Sequence, residues 1–360
     1  MAFGDFPTFY SKARERSVAG VFDEFLDQHI NITRGIRNRA GTSQNHLREF
    51  LADETDRDEG FPRVLSIEDW DFLGGSFARH TKIWPLDDID VYLPLDGTGL
   101  VYTGAYGVLP YTVVNDGVLD ENPLLVDRKR WMDGYNLSSE KLIDGFAKIL
   151  RRHYPETTKV RRVGEAVNVR LTVGAGEDND GLGFDVVPCF SLKPVNYGQQ
   201  PFYLIPNGDD GWIHTNPRID QEYSDNLNRA NGRTLRKGVK LFKWWNGEFA
   251  GGRVESYYAE LAVMRAFQMR NAFGQTVTTI AEAAEVAFRA VRDAINAGDQ
   301  QPLLNGAPTV ERGPVTNGDM TLLNAAVTLS QRARQLELYG RQAEAIGVWG
   351  QVFGEEFPTA

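Results

Sequence analysis

Asp88 and Asp90, one residue apart, and Asp185 in the run Gly183-Phe184-Asp185-Val186-Val187-Pro188 are the side chains whose types and spacing suit chemistry on a phosphate. In Asp88-Ile89-Asp90-Val91-Tyr92-Leu93 a period of two puts both carboxylates on one face of a short strand and Ile89, Val91 and Leu93 on the other. Neighbouring carboxylates repel unless a cation lies between them, and a hard ion such as Mg²⁺ binds a few carboxylates together with phosphate oxygens. With Asp185 as the third acid, two ions about 3.5–4 Å apart can clamp the attacking and leaving oxygens of an in-line displacement. Gly74-Gly75-Ser76 supplies the other half of the pattern. It follows Trp70-Asp71-Phe72-Leu73, which reads as a strand, and a tight turn there lets backbone N–H groups and the Ser76 hydroxyl face a triphosphate. Alone, an Asp-x-Asp pair also suits a solvated strand end, and Gly-Gly-Ser is a common loop. A Gly-Ser turn, a short spacer, Asp-x-Asp on a strand and a later strand Asp together read as nucleotidyl transfer.

The elements that must position these groups divide the chain in two. The stripe Phe22, Phe25, Leu26 and Ile30 and a second one, Leu47, Phe50 and Leu51, predict helices from Val21 to Asp53. Residues 66–95 form the strand–turn–strand of the acids, and Asp96 to Asn136 is a Gly-rich, aromatic insertion that periodicity does not resolve. A helix is predicted from a Ser138–Ser139 cap to His153. Strands follow over Lys159–Val173 and Gly183–Phe190, with a hairpin loop at Gly174–Gly181. After Pro217 the pattern turns helical, with helices over Asp220–Trp245, Glu255–Gln268, Ile280–Ala297, Leu322–Tyr339 and Ala343–Phe353, and a flexible loop between Gly298 and Gly318. The division is therefore an N-terminal helical scaffold over 1–60 packing on both lobes, a catalytic core over 61–215 and a helical domain over 216–360.

Composition sets the surroundings. The 360 residues suffice for a large core, and the single cysteine, Cys189, excludes an intramolecular disulfide. Cys189 lies in the apolar Asp185 strand without a local base, as a buried structural thiol would. No basic, apolar N-terminal signal and no apolar run of spanning length are present, which fits a cytoplasmic protein without a membrane partner. A net charge of −10 speaks against a surface built to hold long nucleic acids. Lys237, Lys240 and Lys243 recur at i, i+3, i+6 and form a cationic edge that could face a polyphosphate, or a solvated helix face. The five histidines have no paired metal spacing, and the Arg151-Arg152 and Arg161-Arg162 pairs read as charges balancing local acids.

The segment Gly75-Ser76-Phe77-Ala78-Arg79-His80-Thr81, with Pro85-Leu86-Asp87-Asp88-Ile89-Asp90-Val91 after it, resembles the signature of polymerase-β-type nucleotidyltransferases. More narrowly it is similar to the bacterial cGAS/DncV-like nucleotidyltransferases, the CD-NTases. Asp185-Val186-Val187-Pro188, Trp212-Ile213-His214-Thr215-Asn216-Pro217 and Leu241-Phe242-Lys243-Trp244-Trp245-Asn246 follow in the order that such enzymes show, and the resemblance runs from Leu65 to Leu261. It implies an α+β fold, a polymerase-β-like core with a mixed sheet and helices followed by a helical lobe, with the active site in the cleft between them. It implies that Asp88, Asp90 and Asp185 are catalytic and bind two Mg²⁺ ions, with Mn²⁺ as a substitute. Gly75, Ser76, Lys243 and Ser256 would hold the nucleotide phosphates and Tyr257 would stack on a base. The interval from Lys243 to Ser256, with Gly251-Gly252, is short for the family. The implied activity is condensation of ATP, GTP or pyrimidine triphosphates into a cyclic di- or trinucleotide second messenger of antiphage (CBASS-type) signalling, with regulatory partners from a defence operon. The alternatives are transfer of one nucleotide to an RNA end, a protein or a small molecule, and a catalytically silent nucleotide sensor. Animal relatives that need duplex DNA carry a zinc-bound insertion; with Cys189 alone and scattered histidines no such module is expected, nor any obligatory nucleic acid.

Overall fold

The computed structural model describes residues 16–58, 60–65, 74–105, 107–117, 122–154, 159–171, 181–192 and 202–359. The strand expected at Trp70–Leu73 and the hairpin loop at 174–180 lie outside these residues.

Two helices open the described chain. Helix α1 (Val18–Phe25) is capped by the Ser17 side chain and continues as a π-helical turn, Leu26–Ile30. Helix α2 (Arg34–Arg57) is capped by Thr33. The two serve different cores. The Phe22 ring meets Trp349 at 5.0 Å and Phe357 at 5.1 Å, so α1 packs into the C-terminal helices. Ala40, Leu47 and Leu51 of α2 instead belong to the core beneath the sheet.

The first lobe holds the one-turn helix α3 (Gly75–Ala78) and then strand β1 (Ile89–Pro94). Next come β2 (Leu100–Thr103), β3 (Thr112–Asn115), the short helices α4 (Pro123–Val126) and α5 (Arg128–Trp131), β4 (Met132–Asp133) and β5 (Asn136–Leu137). The insertion that periodicity left unresolved is therefore a four-stranded antiparallel sheet in the order β2-β3-β5-β4. Helix α6 (Ser139–His153) follows, with the Ser138 side chain accepting from Lys141 N as the cap pattern predicts.

Strands β6 (Lys159–Val163), β7 (Ala166–Leu171), β8 (Leu182–Leu192), β9 (Phe202–Pro206) and β10 (Trp212–Thr215) make the main sheet in the order β10-β9-β8-β7-β6. The single strand expected over Lys159–Val173 is instead a hairpin that turns at Gly164-Glu165, with Val163 paired to Ala166. Strand β1 pairs with β8 in parallel, which makes the sheet mixed. The Cys189 side chain on β8 is fully buried and burial pushes its thiol pKa up, so a maleimide should not modify the native protein, and labelling should track unfolding in denaturant. Rapid native labelling would contradict this placement.

The second lobe is α7 (Pro217–Ala230), α8 (Leu235–Ala250), α9 (Ser256–Ala272), α10 (Ile280–Ala297), α11 (Asn317–Leu338) and α12 (Gln342–Phe353). The helix expected over Asp220–Trp245 is two, broken at Asn231–Thr234, where Gly232 and Arg233 take positive φ of 61° and 65°. The 298–318 span, expected as a flexible loop, is fastened at several points. Gln300 and Val310 form an antiparallel bridge, Gln300 Nε2 donates to Tyr258 O at 2.8 Å, and Leu304 joins the core of the sheet lobe. These contacts are remote in sequence, so periodicity carries no sign of them. Among the described residues no helix is long and apolar enough to cross a membrane.

Candidate active site

Strand β1 buries Ile89, Val91 and Leu93 on one face and turns Asp90 and Tyr92 to the other. Its parallel register with β8 sets Asp90 beside Asp185, so carboxylates 95 positions apart in sequence stand on adjacent strands. Asp185 Oδ1 accepts from Asn168 Nδ2 at 2.7 Å, from the neighbouring strand β7. Asp88, just before β1, points to Lys82, which also donates to Asp87 at 2.7 Å. Among the described residues, no three acidic, histidine or cysteine side chains close on one point.

Burial, then the charges of Asp185 and Asp88, push Asp90 up to about 7. Burial also raises Asp185 and Asp88, although Asn168 and Lys82 respectively oppose the shift. Lys82 loses by burial but gains more from Asp88 and Asp87, and its pKa is raised. The donor set fits a hard divalent cation, which would relieve the repulsion at Asp90 and compete with Lys82 for Asp88.

The Gly-Ser turn packs directly on the acids. Gly75 has φ +62°, and a Cβ there would fall 1.6 Å from Asp90 Oδ2. A Cβ on Gly74 would fall 2.1 Å from the Tyr92 ring. Both glycines therefore allow the backbone to approach the acid-bearing strand. The turn is locked behind: Ser76 O accepts from Thr81 N at 2.9 Å and Lys82 N at 3.0 Å, and Thr81 Oγ1 lies 3.3 Å away.

The helical lobe contributes the remaining residues. Lys243 on α8 is 7% exposed, and its Nζ donates to Glu260 Oε1 at 2.5 Å. Ser256 is exposed at the first position of α9, and Gly251 in the left-handed conformation ends α8 before it. The Tyr257 hydroxyl donates to Asp220 Oδ1 at 2.8 Å, and the Arg79 guanidinium lies 5.1 Å from the centre of its ring. Tyr257 also lines a cavity of about 210 Å³ with Tyr92, His214, Asn216 and Asp220, and with Leu304 and Val310 of the fastened loop.

The Lys237–Lys243 edge does not act as one surface. Lys237 donates to Asp23 at 2.6 Å and Lys240 to Asn31 at 2.9 Å, both against the N-terminal helices. Lys243 alone turns toward the turn and α9. Spacing fixed the helix face but not what packs against it. Burial, then Arg37 and Arg236, push Lys240 down to about 8. Arg162 pairs with Glu140, as a charge-balancing residue would.

Arg79 and Glu260 escaped the reading of the sequence. Arg79 Nε donates to Glu260 Oε2 at 2.7 Å, and both side chains are almost fully buried. Burial alone would raise Glu260, but Arg79 and Lys243 outweigh it and hold the carboxyl at about 2. Burial outweighs what Glu260 returns to Lys243, so its pKa falls, and the charges of Arg79 and Lys82 add to the drop. A signal existed: Glu260 is an acid inside the apolar run Tyr258–Met264, three residues after Tyr257 and so on its side of the helix.

Comparison with known proteins agrees with this fold. No family model matches the chain. A protein of Bacillus cereus (strain VD146) named probable cyclic nucleotide synthase is 27% identical over 96% of this chain and 98% of its own. E. coli MS115-1 CdnC, solved with ATP, superposes with a TM-score of 0.58 at 16% identity, covering 94% of this chain and 98% of that one. The chain shares the CD-NTase fold. CdnC solved in complex with HORMA-deltaN gives a TM-score of 0.60 at the same identity and coverage. The CD-NTase fold, a polymerase-β-like core joined to a helical lobe, is the architecture described above, and the chain is a nucleotidyltransferase enzyme.

Proposed function

We propose that this enzyme condenses nucleoside triphosphates into a cyclic di- or trinucleotide, releasing pyrophosphate. The observation that carries the reading is the register of Asp90 against Asp185 with the Gly75 backbone packed on Asp90, an acid face beside the Gly-Ser turn. Likeness along nearly the whole chain to a probable cyclic nucleotide synthase supports a cyclic product. Asp88, Asp90 and Asp185 would hold Mg²⁺, or Mn²⁺ in its place. Bound there, the metal lowers the pKa of the attacking ribose hydroxyl and neutralises the departing pyrophosphate.

The chain's own groups do the rest. The Gly75–Ser76 turn and the Ser76 hydroxyl cradle the phosphates, and Lys243 with Ser256 takes the far end of the triphosphate. Tyr257 stacks on a base at the mouth of the cavity it shares with Tyr92, where one nucleoside is shielded from water. The product serves as a second messenger in antiphage signalling, and a HORMA-type regulatory partner fits this role because CdnC is known in complex with HORMA-deltaN.

Incubation with labelled ATP, GTP, CTP and UTP plus Mg²⁺, followed by phosphatase, tests the reading. The expected result is a phosphatase-resistant species that comigrates with a cyclic oligonucleotide and disappears with chelator. A label attached to RNA, protein or another acceptor would instead establish the single-transfer alternative. No turnover despite saturable triphosphate binding would point to a sensor.

A further inference from the structure

Glu260 carries a charge where packing asks for none. Its side chain is 2% exposed within an apolar run of α9, and a carboxylate is stable there only if it is paired. Its two oxygens are divided between lobes: Oε2 takes Arg79, from the end of the Gly-Ser helix α3, and Oε1 takes Lys243 of α8. Arg79 also lies over Tyr257, whose hydroxyl is held by Asp220 of α7. One buried carboxylate thus touches, directly or through one neighbour, the turn, the lysine and the aromatic ring assigned to a single nucleotide. Two cations on one carboxylate leave these three side chains with one positive charge in a poorly solvated place, and the next carboxyl acting on Arg79 after Glu260 is that of Asp220, already bonded to Tyr257.

We propose that Glu260 is a positioning residue for nucleotide binding, one that fixes the Gly-Ser turn relative to Lys243 and Tyr257 and keeps Lys243 charged, without touching substrate. The proposal rests on the nucleotidyl-transfer reading above. Glu260 supports the protonated ammonium; Arg79 at the end of α3 and Lys82 after it oppose it, and Lys240 on the same helix lies close enough to interact. Asp220 of α7 acts on Arg79 and Glu260. The Glu260→Gln change keeps the shape and removes the charge that most favours Lys243 in its cationic form, so Lys243 should lose its proton at lower pH.

The test is the KM and kcat for triphosphate turnover from about pH 6 to about pH 9 in the full chain. In E260Q the KM should exceed the parent's by about tenfold or more and should climb with pH where the parent's is flat. Adding Lys243→Arg to E260Q should flatten the climb, because a guanidinium does not titrate in this range. In Glu260→Asp, ionised but one methylene shorter, KM should rise while the pH profile keeps the parent's shape. A purely structural Glu260 predicts another outcome, a smaller active fraction with kcat reduced equally at every pH and KM unchanged, and that result would overturn the proposal. If E260Q does not fold, E260D decides: a parental KM in that variant defeats the idea. A parent chain that turns over no triphosphate refutes the proposed activity instead. The positioning role is then read from calorimetric binding of a non-hydrolysable triphosphate across the same pH range, where an E260Q pH profile that superimposes on the parent's, or a parental affinity in E260D, defeats it.

Discussion

Asp90→Asn should abolish nucleotidyl transfer and, in the same molecule, raise the melting temperature of the metal-free protein near pH 8. The first effect follows from the site: an amide keeps the shape but cannot bind a cation or take a proton, and a loss of about a thousandfold or more, roughly 4 kcal/mol of barrier, is expected. The second follows from the environment. Burial, Asp185 and Asp88 hold the Asp90 pKa at about 7 against an ordinary 3.8, so the folded state keeps a proton that the unfolded chain releases. The stability gained from that proton is fully present below about pH 3.8 and is lost as pH rises through about 7. Above that, the folded protein holds a desolvated carboxylate against a second one, and asparagine removes the repulsion for a gain of about 1–3 kcal/mol. Melting curves with chelator at about pH 5 and about pH 8 should differ in the size of the gain, large at the higher pH and small at the lower. Mg²⁺ should then stabilise the parent at the higher pH and leave the variant unmoved. Turnover within tenfold of the parent, or a lower melting temperature at both pH values, would remove Asp90 from the metal-binding acid face.

What was legible in the sequence was what nearest neighbours and short periods determine. Asp90 and Tyr92 share a face because strands alternate, and α6 starts after Ser138 because the serine side chain caps it. The break between α7 and α8 carried a signal too, since Asn231-Gly232 is a turn dipeptide, but the apolar spacing on both sides concealed it. The hairpin at Gly164 is the same case: a strand pattern ran through a turn residue.

Other features lay beyond any local window. The stripe Lys237, Lys240 and Lys243 was visible, yet Asp23 and Asn31, more than 200 positions away, take the first two lysines from the cleft. Arg79 and Glu260 are 181 positions apart, and their partnership exists only once the lobes meet. The 298–318 span looked free because its anchors, Tyr258 and the sheet-lobe core around Leu304, belong to other elements. The acids could be named from sequence because chemistry restricts which residue types can serve. The scaffold that aims Lys243 and Tyr257 could not, because burial and tertiary contact choose it.

Gly75→Ala should be the most damaging change of a single methyl group near the site. The backbone at Gly75 has φ +62°, where a residue with a Cβ is strained by about 1 kcal/mol. The larger cost is steric: the new Cβ would fall 1.6 Å from Asp90 Oδ2 and 2.8 Å from its Cγ, so either the carboxylate or the turn must move. A displacement of about 1 Å of a reacting group costs about a hundredfold in rate, and turnover should fall by at least that much. Stability should fall as well, by about 1–3 kcal/mol. The two causes separate in a double-mutant cycle with Asp90→Ala, which removes the atoms that the methyl group meets. Adding Gly75→Ala to the Asp90→Ala background should lower the melting temperature only by the backbone strain, so the penalties are strongly non-additive. Additive penalties would mean that the turn and Asp90 are not in contact in solution, and a Gly75→Ala enzyme with parental turnover would mean that the acid does not depend on the close approach of the Gly-Ser backbone.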